Sequence, residues 1–247
     1  MTGLNNVTFK DHDSLKILFL FSAATALILD IPASTLRAKM LDIAKQVKSL
    51  GFFGPFHPSF DIIQLFHKEL SLILPPDAHK QASNKVHISL TDGTMNNVIV
   101  SKYSTLDELK EALICSCYLP IFSSWKMPTY KEKAYLDGGF SNNQPVLQED
   151  CTLRVSPFSG GSHICPSDGP QESSRPFMSK WGGEKINLTS MNFKRFYGAM
   201  MPPENLEELF EQGYDQTETY LRSITFQNLV KELTIPPDSE VNAVTEN

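Results

Sequence analysis

Four cysteines in 247 residues are too few for a disulfide framework. Cys115-Ser116-Cys117 is too tight for a zinc knuckle, and no Cys/His pair recurs at ligand spacing. The sequence therefore implies no metal and no cofactor, and reduced thiols in a cytosolic compartment are expected. It also lacks a run of Lys and Arg. With 22 Lys+Arg against 28 Asp+Glu the formal charge is −6, so no phosphate footprint is on offer and nucleic acid is not an expected partner. The apolar run Ile17–Leu29 is short of the roughly 20 residues a bilayer-spanning helix needs. Asp11, His12 and Asp13 precede it where a signal peptide carries positive charge. Two readings of that run stay open: a buried element of an α/β core, or a hairpin or helix dipping into a lipid surface. There is no internal repeat and no clear linker.

What is present is an ordinary soluble composition, 41% hydrophobic and 20% charged, in a chain long enough to bury a core. Leu15–Phe21 has the continuous apolar character of a buried strand. After Pro32, Ser34 is placed to cap a helix with its stripe at Leu36, Met40, Ile43, Val47 and Leu50, stopped by Gly51. Gly51–Phe60 reads as an aromatic, proline-broken loop in which Phe52, Phe53 and Phe56 either cap the core or touch lipid. A second helix carries Ile62, Leu65, Phe66, Leu70 and Ile73 and ends before Pro75-Pro76. Val86, Ile88 and Leu90, then Val98 and Val100, alternate with polar residues around Asp92-Gly93, which predicts a β-hairpin. Thr105-x-x-Glu108 is a capping box before Leu106, Leu109 and Leu113. Short strands are expected at Ala134–Leu136 and Thr152–Val155, loop over Ser167–Gly183, and a last helix after Pro202-Pro203. Interspersed strands and helices make the class α/β.

Asp137-Gly138-Gly139 follows a short apolar stretch. Such tripeptides are common turns, in which Asp137 would be a solvated capping carboxylate. Its surroundings add to that reading. Tyr135–Pro145 resembles the Asp-Gly-Gly/Ala region of patatin-like phospholipase domains. So, in order, do Gly54–Phe60, Leu74–Asp77, His87–Thr91, Ala112–Cys117, Val155–Gly160 with Ile164–Pro166, Pro202-Pro203 and Gln212–Tyr214. Their spacing is similar to the animal adipose triglyceride lipase branch of that family, from about Ala26 to Leu221. Several motifs in register are far more specific than one.

The resemblance implies a three-layer α/β/α sandwich and a serine lipid hydrolase. The nucleophile would lie in Gly-x-Ser-x-Gly on a strand-to-helix elbow, a Gly-rich loop would supply oxyanion N–H groups, and Asp137 would be the base, without histidine. The substrates implied are long-chain acylglycerols at a lipid-droplet or membrane surface, with a lipase coactivator as a further partner. The expected location is cytoplasmic and peripheral to those surfaces.

One departure is large. No Gly-x-Ser-x-Gly occurs in the chain. Counting back from Ala26–Met40 without a gap puts Leu18 at the nucleophile and Lys16 and Leu20 at its glycines, and leucine has no oxygen with which to attack a carbonyl. Ser22 is the nearby hydroxyl, flanked by Leu20 and Ala24, but an elbow selects glycine there. Ser159-Gly160-Gly161 reads as a turn, without a strand–helix pair around it. His57, His67, His79, His87 and His163 are scattered without spacing partners. The expected organisation is a divergent segment over 1–25, an incomplete patatin-like domain over 26–223 and a polar, disordered tail over 224–247. Two functions follow: an acylglycerol lipase in which only the Asp of a Ser–Asp dyad is recognisable, or an inactive relative that binds lipid or a lipase partner.

Overall fold

The structure, a computed structural model, describes residues 25–49, 61–120, 126–147, 152–169, 178–200, 206–223 and 227–228. The strand expected at Leu15–Phe21, Ser22, the aromatic loop with Phe52, Phe53 and Phe56, and the tail after 228 lie outside them.

A helical turn over 25–28 buries Ala26 and leads through Asp30, at φ 54°, to Pro32. Helix α1 (Ala33–Ser49) begins directly after that proline. Ser34 therefore stands inside the first turn and is not the expected cap. The carbonyl of Pro32 instead accepts the N–H groups of Thr35 and Leu36. Helix α2 (Ile62–Ile73) is capped by Asp61, whose carboxylate accepts from the N–H groups of Ile63 and Gln64. Lys39 and Glu69 tie α1 to α2 at 2.8 Å. The short helix α3 (Ala78–Ala82), absent from the sequence reading, buries both its alanines. Thr105 caps α4 (Leu106–Cys115) as expected, accepting from Glu108 N–H at 3.1 Å. The box closes one residue early, because the Glu108 carboxylate takes the N–H of Ser104.

Strands β1 (Ile88–Thr91) and β2 (Asn97–Val100) form the expected antiparallel hairpin. Two strands then follow, β3 (Thr129–Tyr130) and β4 (Lys133–Ala134), paired with each other. Strand β5 (Leu136–Asp137) joins the other edge of β1, antiparallel, giving the order β2-β1-β5. All four residues of β1 are buried. Ile88 and Leu90 enter a core with Leu29, Leu74, Val86, Leu109 and Leu113. Ser89 and Thr91 are buried because the β5 turn covers them. A second apolar cluster joins Ile43, Ile63, Phe66, Ile114 and Tyr118. Helix α4 lies between the two, packing on α2, α3, β1 and β3.

Two expectations are corrected further along. Thr152–Val155 forms no strand, only an isolated bridge from Val155 to Ile164. Part of the expected loop Ser167–Gly183 is strand β6 (Met178–Trp181), which pairs with β7 (Glu184–Asn187) across Gly182-Gly183. The glycines read as loop are the turn of a hairpin. Helix α5 (Ser190–Met200) follows, and α6 (Leu206–Leu221) carries buried Phe210 under the guanidinium of Arg37, 4.3 Å from the ring centroid. Helices and strands are interspersed along the described residues, a mixed α/β content in which the paired strands are antiparallel.

Candidate active site

Leu136 and Asp137 make up β5, and the chain then turns through a single 3₁₀ turn, Gly138–Phe140. Asp137 caps that turn itself: its Oδ1 accepts the N–H of Gly139 at 2.7 Å. This is the turn-capping role that its residue type predicts. It is not a solvated one, since Asp137 is 4% exposed and its Oδ2 is buried with no hydrogen-bond partner among the described residues. Burial pushes the carboxyl up to about 7, against the smaller opposite pull of the Gly139 N–H. A carboxylate poised near neutral pH has the proton affinity that general-base work asks for.

The turn is bolted to β1 by hydroxyls. Thr91 Oγ1 donates to the Asp137 carbonyl at 2.7 Å and lies 2.7 Å from Ser141 Oγ. Ser89 Oγ donates to the Asn142 carbonyl at 2.9 Å and accepts from Asn97 Nδ2 at 2.7 Å. The contact is so close that a Cβ at Gly138 would drive into the Ser89 carbonyl oxygen. On its far side the turn meets the β6–β7 hairpin. Asn143 N–H donates to Gly182 O at 2.7 Å, and Asn143 Nδ2 donates to the Glu184 carboxylate. Gly182 has φ 51°, and a Cβ there would strike the Gly139 carbonyl. Only glycine suits both the angle and the gap.

Ser159-Gly160-Gly161 is no elbow. Gly161 N–H donates to Lys185 O at 2.9 Å, and Ser159 enters a buried polar knot that sequence reading did not find. Ser159 Oγ donates to Asp168, as do Thr189 Oγ1 at 2.7 Å and Arg195 at 2.5 Å. Asn192 Nδ2 reaches Ser159 O at 2.9 Å and Asn187 O at 2.7 Å. Burial alone would raise the Asp168 carboxyl, but these donors outweigh it and hold it below the usual carboxylate range. The knot fixes the 156–168 loop to α5, and through Ser162, which donates to Glu184 at 3.2 Å, to the hairpin that buttresses Asp137.

The histidines stay apart, as their spacing suggested. His57 lies outside the described residues, and none of the others donates to the Asp137 carboxylate. His163 accepts from Arg154 N–H at 3.0 Å, and burial, with the Arg154 charge, lowers its imidazole. Cys115, Cys117 and Cys165 form no disulfide. Burial pushes the Cys115 thiol up to about 12, and burial with the charge of Asp137 raises Cys117. Both are kept protonated and unreactive. Leu18, Lys16, Leu20 and Ser22 lie outside the described residues.

Beside the site, a cavity of about 40 Å³ opens between the 25–31 segment, α1, α2 and α4, lined by Ile43, Phe66, Leu70, Leu113 and Cys117 among others. Asp137 does not line it.

The chain is similar to known proteins over most of its length. Patatin-like phospholipase domain-containing protein 2 of Rattus norvegicus is 36% identical over 235 residues, 90% of this chain and 48% of the relative. The omega-hydroxyceramide transacylase of Mus musculus is 36% identical over 178 residues, 70% of this chain and 29% of the relative. Patatin-like phospholipase domain-containing protein 4 of Homo sapiens is 34% identical over 172 residues, 68% of this chain and 67% of the relative. The chain belongs to the patatin-like phospholipase family. It spans about half the length of the rat patatin-like relative. No family model and no solved structure matches it. Among the described residues no helix is long and apolar enough to cross a membrane.

The site yields a test of its own. In the folded protein the Asp137 carboxyl sits near 7, against roughly 3.9 in an unfolded chain. Between those values the folded state holds the extra proton, so stability falls as pH rises from about 4 to 7, by an amount on the order of 4 kcal/mol. Asp168 acts with the opposite sign at the acid end. Asp137→Asn removes the neutral-range slope, because it has no charge to bury. Urea titrations across this window are expected to show a falling midpoint in the parent and a flatter one in the variant. Equal slopes would mean that Asp137 ionises as freely folded as unfolded.

Proposed function

We propose that the chain is a lipid-ester protein of the acylglycerol-lipase type, with Asp137 as the base of a Ser–Asp dyad. The observation that carries this reading is the buried Asp137 carboxylate, raised to about 7, with one oxygen held by Gly139 and the other unpartnered among the described residues. The substrate class is taken from relatives named for phospholipase and transacylase domains. A long-chain acylglycerol at a lipid-droplet or membrane surface fits it, on a three-layer α/β/α scaffold. In the chemistry, Asp137 takes the proton of a serine hydroxyl as that oxygen attacks the ester carbonyl, and the same proton passes to the leaving alcohol.

A second reading is favoured by one specific observation, the missing Gly-x-Ser-x-Gly. On it the chain binds acylglycerol, or a lipase partner, without cleaving the ester. The two separate on fluorophosphonate labelling and hydrolysis of a dioleoylglycerol emulsion. On the first reading this 247-residue chain shows both, and on the second it shows neither. Lys16→Gly, Leu18→Ser and Leu20→Gly together restore the motif and are expected to bring labelling that Asp137→Asn removes. Labelling of the parent at Ser22 would make it a working hydrolase. Labelling of the restored chain that ignores Asp137→Asn would end the assignment of Asp137 as base.

A further inference from the structure

The β6–β7 hairpin and the first turns of α5 leave large apolar side chains in solvent. Phe193 is 67% exposed, Trp181 48% and Leu188 47%. Trp181 and Phe196 pack as a tilted pair with ring centroids 5.9 Å apart, and exposed Phe193 lies one helical turn before Phe196. The pair adjoins the Asp137 turn, since Gly182, next to Trp181, abuts Gly139.

Its charge runs against that of the molecule. The chain carries −6, yet Lys180, Lys185 and Lys194 are exposed here and none makes an ion pair among the described residues. The acid within residues 178–196, Glu184, is buried and held by Asn143 and Ser162. Lys180 and Lys185 stand directly opposite each other across the hairpin. Like charges so placed destabilise a two-stranded ribbon unless an anion lies between them. The lysines and the Trp181 ring leave opposite faces of that ribbon, and long lysine stems can lie along an apolar boundary with their ammonium groups at its polar edge.

We propose that this hairpin and the start of α5 dock on an anionic phospholipid surface, the rings entering the boundary between headgroups and acyl chains and the three lysines meeting phosphates. Aromatic rings beside unpaired lysines are the composition of a lipid-interface element. Protein-binding surfaces share the aromatics but are depleted in lysine. The inference deepens the reading of the Asp137 site, because it names the surface that would present lipid there, and it rests on that reading only for the lipid's fate.

The test uses the 247-residue chain and vesicles of non-hydrolysable ether lipids, so no turnover enters the result. Sedimentation with phosphatidylcholine–phosphatidylserine vesicles is expected to carry the parent down, and phosphatidylcholine alone to carry far less. Phe193→Ser, at an exposed position, is expected to weaken binding about tenfold. Lys180→Glu with Lys185→Glu and Lys194→Glu is expected to weaken it about a hundredfold and remove the anionic preference. Thermal melts show whether each variant is folded, and the lysine set, which alters only exposed side chains, decides if Phe193→Ser unfolds. A folded parent that stays in the supernatant, or variants that bind as the parent does, would overturn the proposal. So would a second copy of the chain seated on Phe193 in solution. Any of these leaves the pH slope of Asp137 untouched, so the docking surface can fail while the site reading stands.

Discussion

Arg195→Met is expected to cost the protein about 3–5 kcal/mol, as breaking a buried pair from one side does. The side chains of Arg195 and Asp168 are 5% and 2% exposed, so solvent cannot take over the lost partner. Removing the guanidinium leaves the Asp168 carboxylate with Ser159 and Thr189 alone, and leaves Asn192 Oδ1, which Arg195 reaches at 2.6 Å, with the Ser159 N–H alone. Changing Asp168→Asn together with Arg195→Met is expected to recover part of the loss, because the charge left behind is the larger penalty. A double-mutant cycle in urea measures it. A single-variant loss below about 1 kcal/mol, the worth of an exposed pair, would show the knot to be open to water.

Gly138→Ala is expected to cost about 3 kcal/mol, the upper end of overpacking. The added methyl meets the backbone of β1, which cannot swing aside as a side chain can. Either β5 leaves β1 or the turn opens, and both let water reach Asp137. The second effect is therefore a carboxyl that titrates nearer its ordinary value, readable by NMR. Gly93→Ala is the control, since a Cβ there meets nothing within 4 Å, and surface changes of that kind stay within about 0.5 kcal/mol. Equal melts for the two alanine variants would mean that β1 and the turn are not in contact.

Much of the fold could be read from local pattern. The apolar stripe of α2, the Thr105 cap and the β1–β2 hairpin all depend on residues near in sequence. Errors came where distant segments decide. Ser89 and Thr91 alternate with Ile88 and Leu90 as a half-wet strand would, but the 137–142 turn covers them. Gly182-Gly183 reads as loop because the strand before it is short and its partner follows at once. Asp137 was found from its neighbours, while its burial depended on β1 and could not be. The knot around Asp168 gave no signal at all: Ser159, Asp168, Asn192 and Arg195 are ordinary surface residues until a loop folds onto α5.

The antiparallel seam between β1 and β5 sets an order of assembly. The β1–β2 hairpin closes over a turn of a few residues, but Leu90 meets Asp137 only after the whole of α4 and the β3–β4 ribbon have been laid down. Closing that long loop costs entropy that no contact returns until the seam itself forms. The Asp137 turn is thus a latecomer in folding, and by the same token it is early to leave when the protein opens. An opened seam would return the Asp137 carboxylate to water with α2, α3 and α4 still in place, so this site can be lost and regained without unfolding the rest.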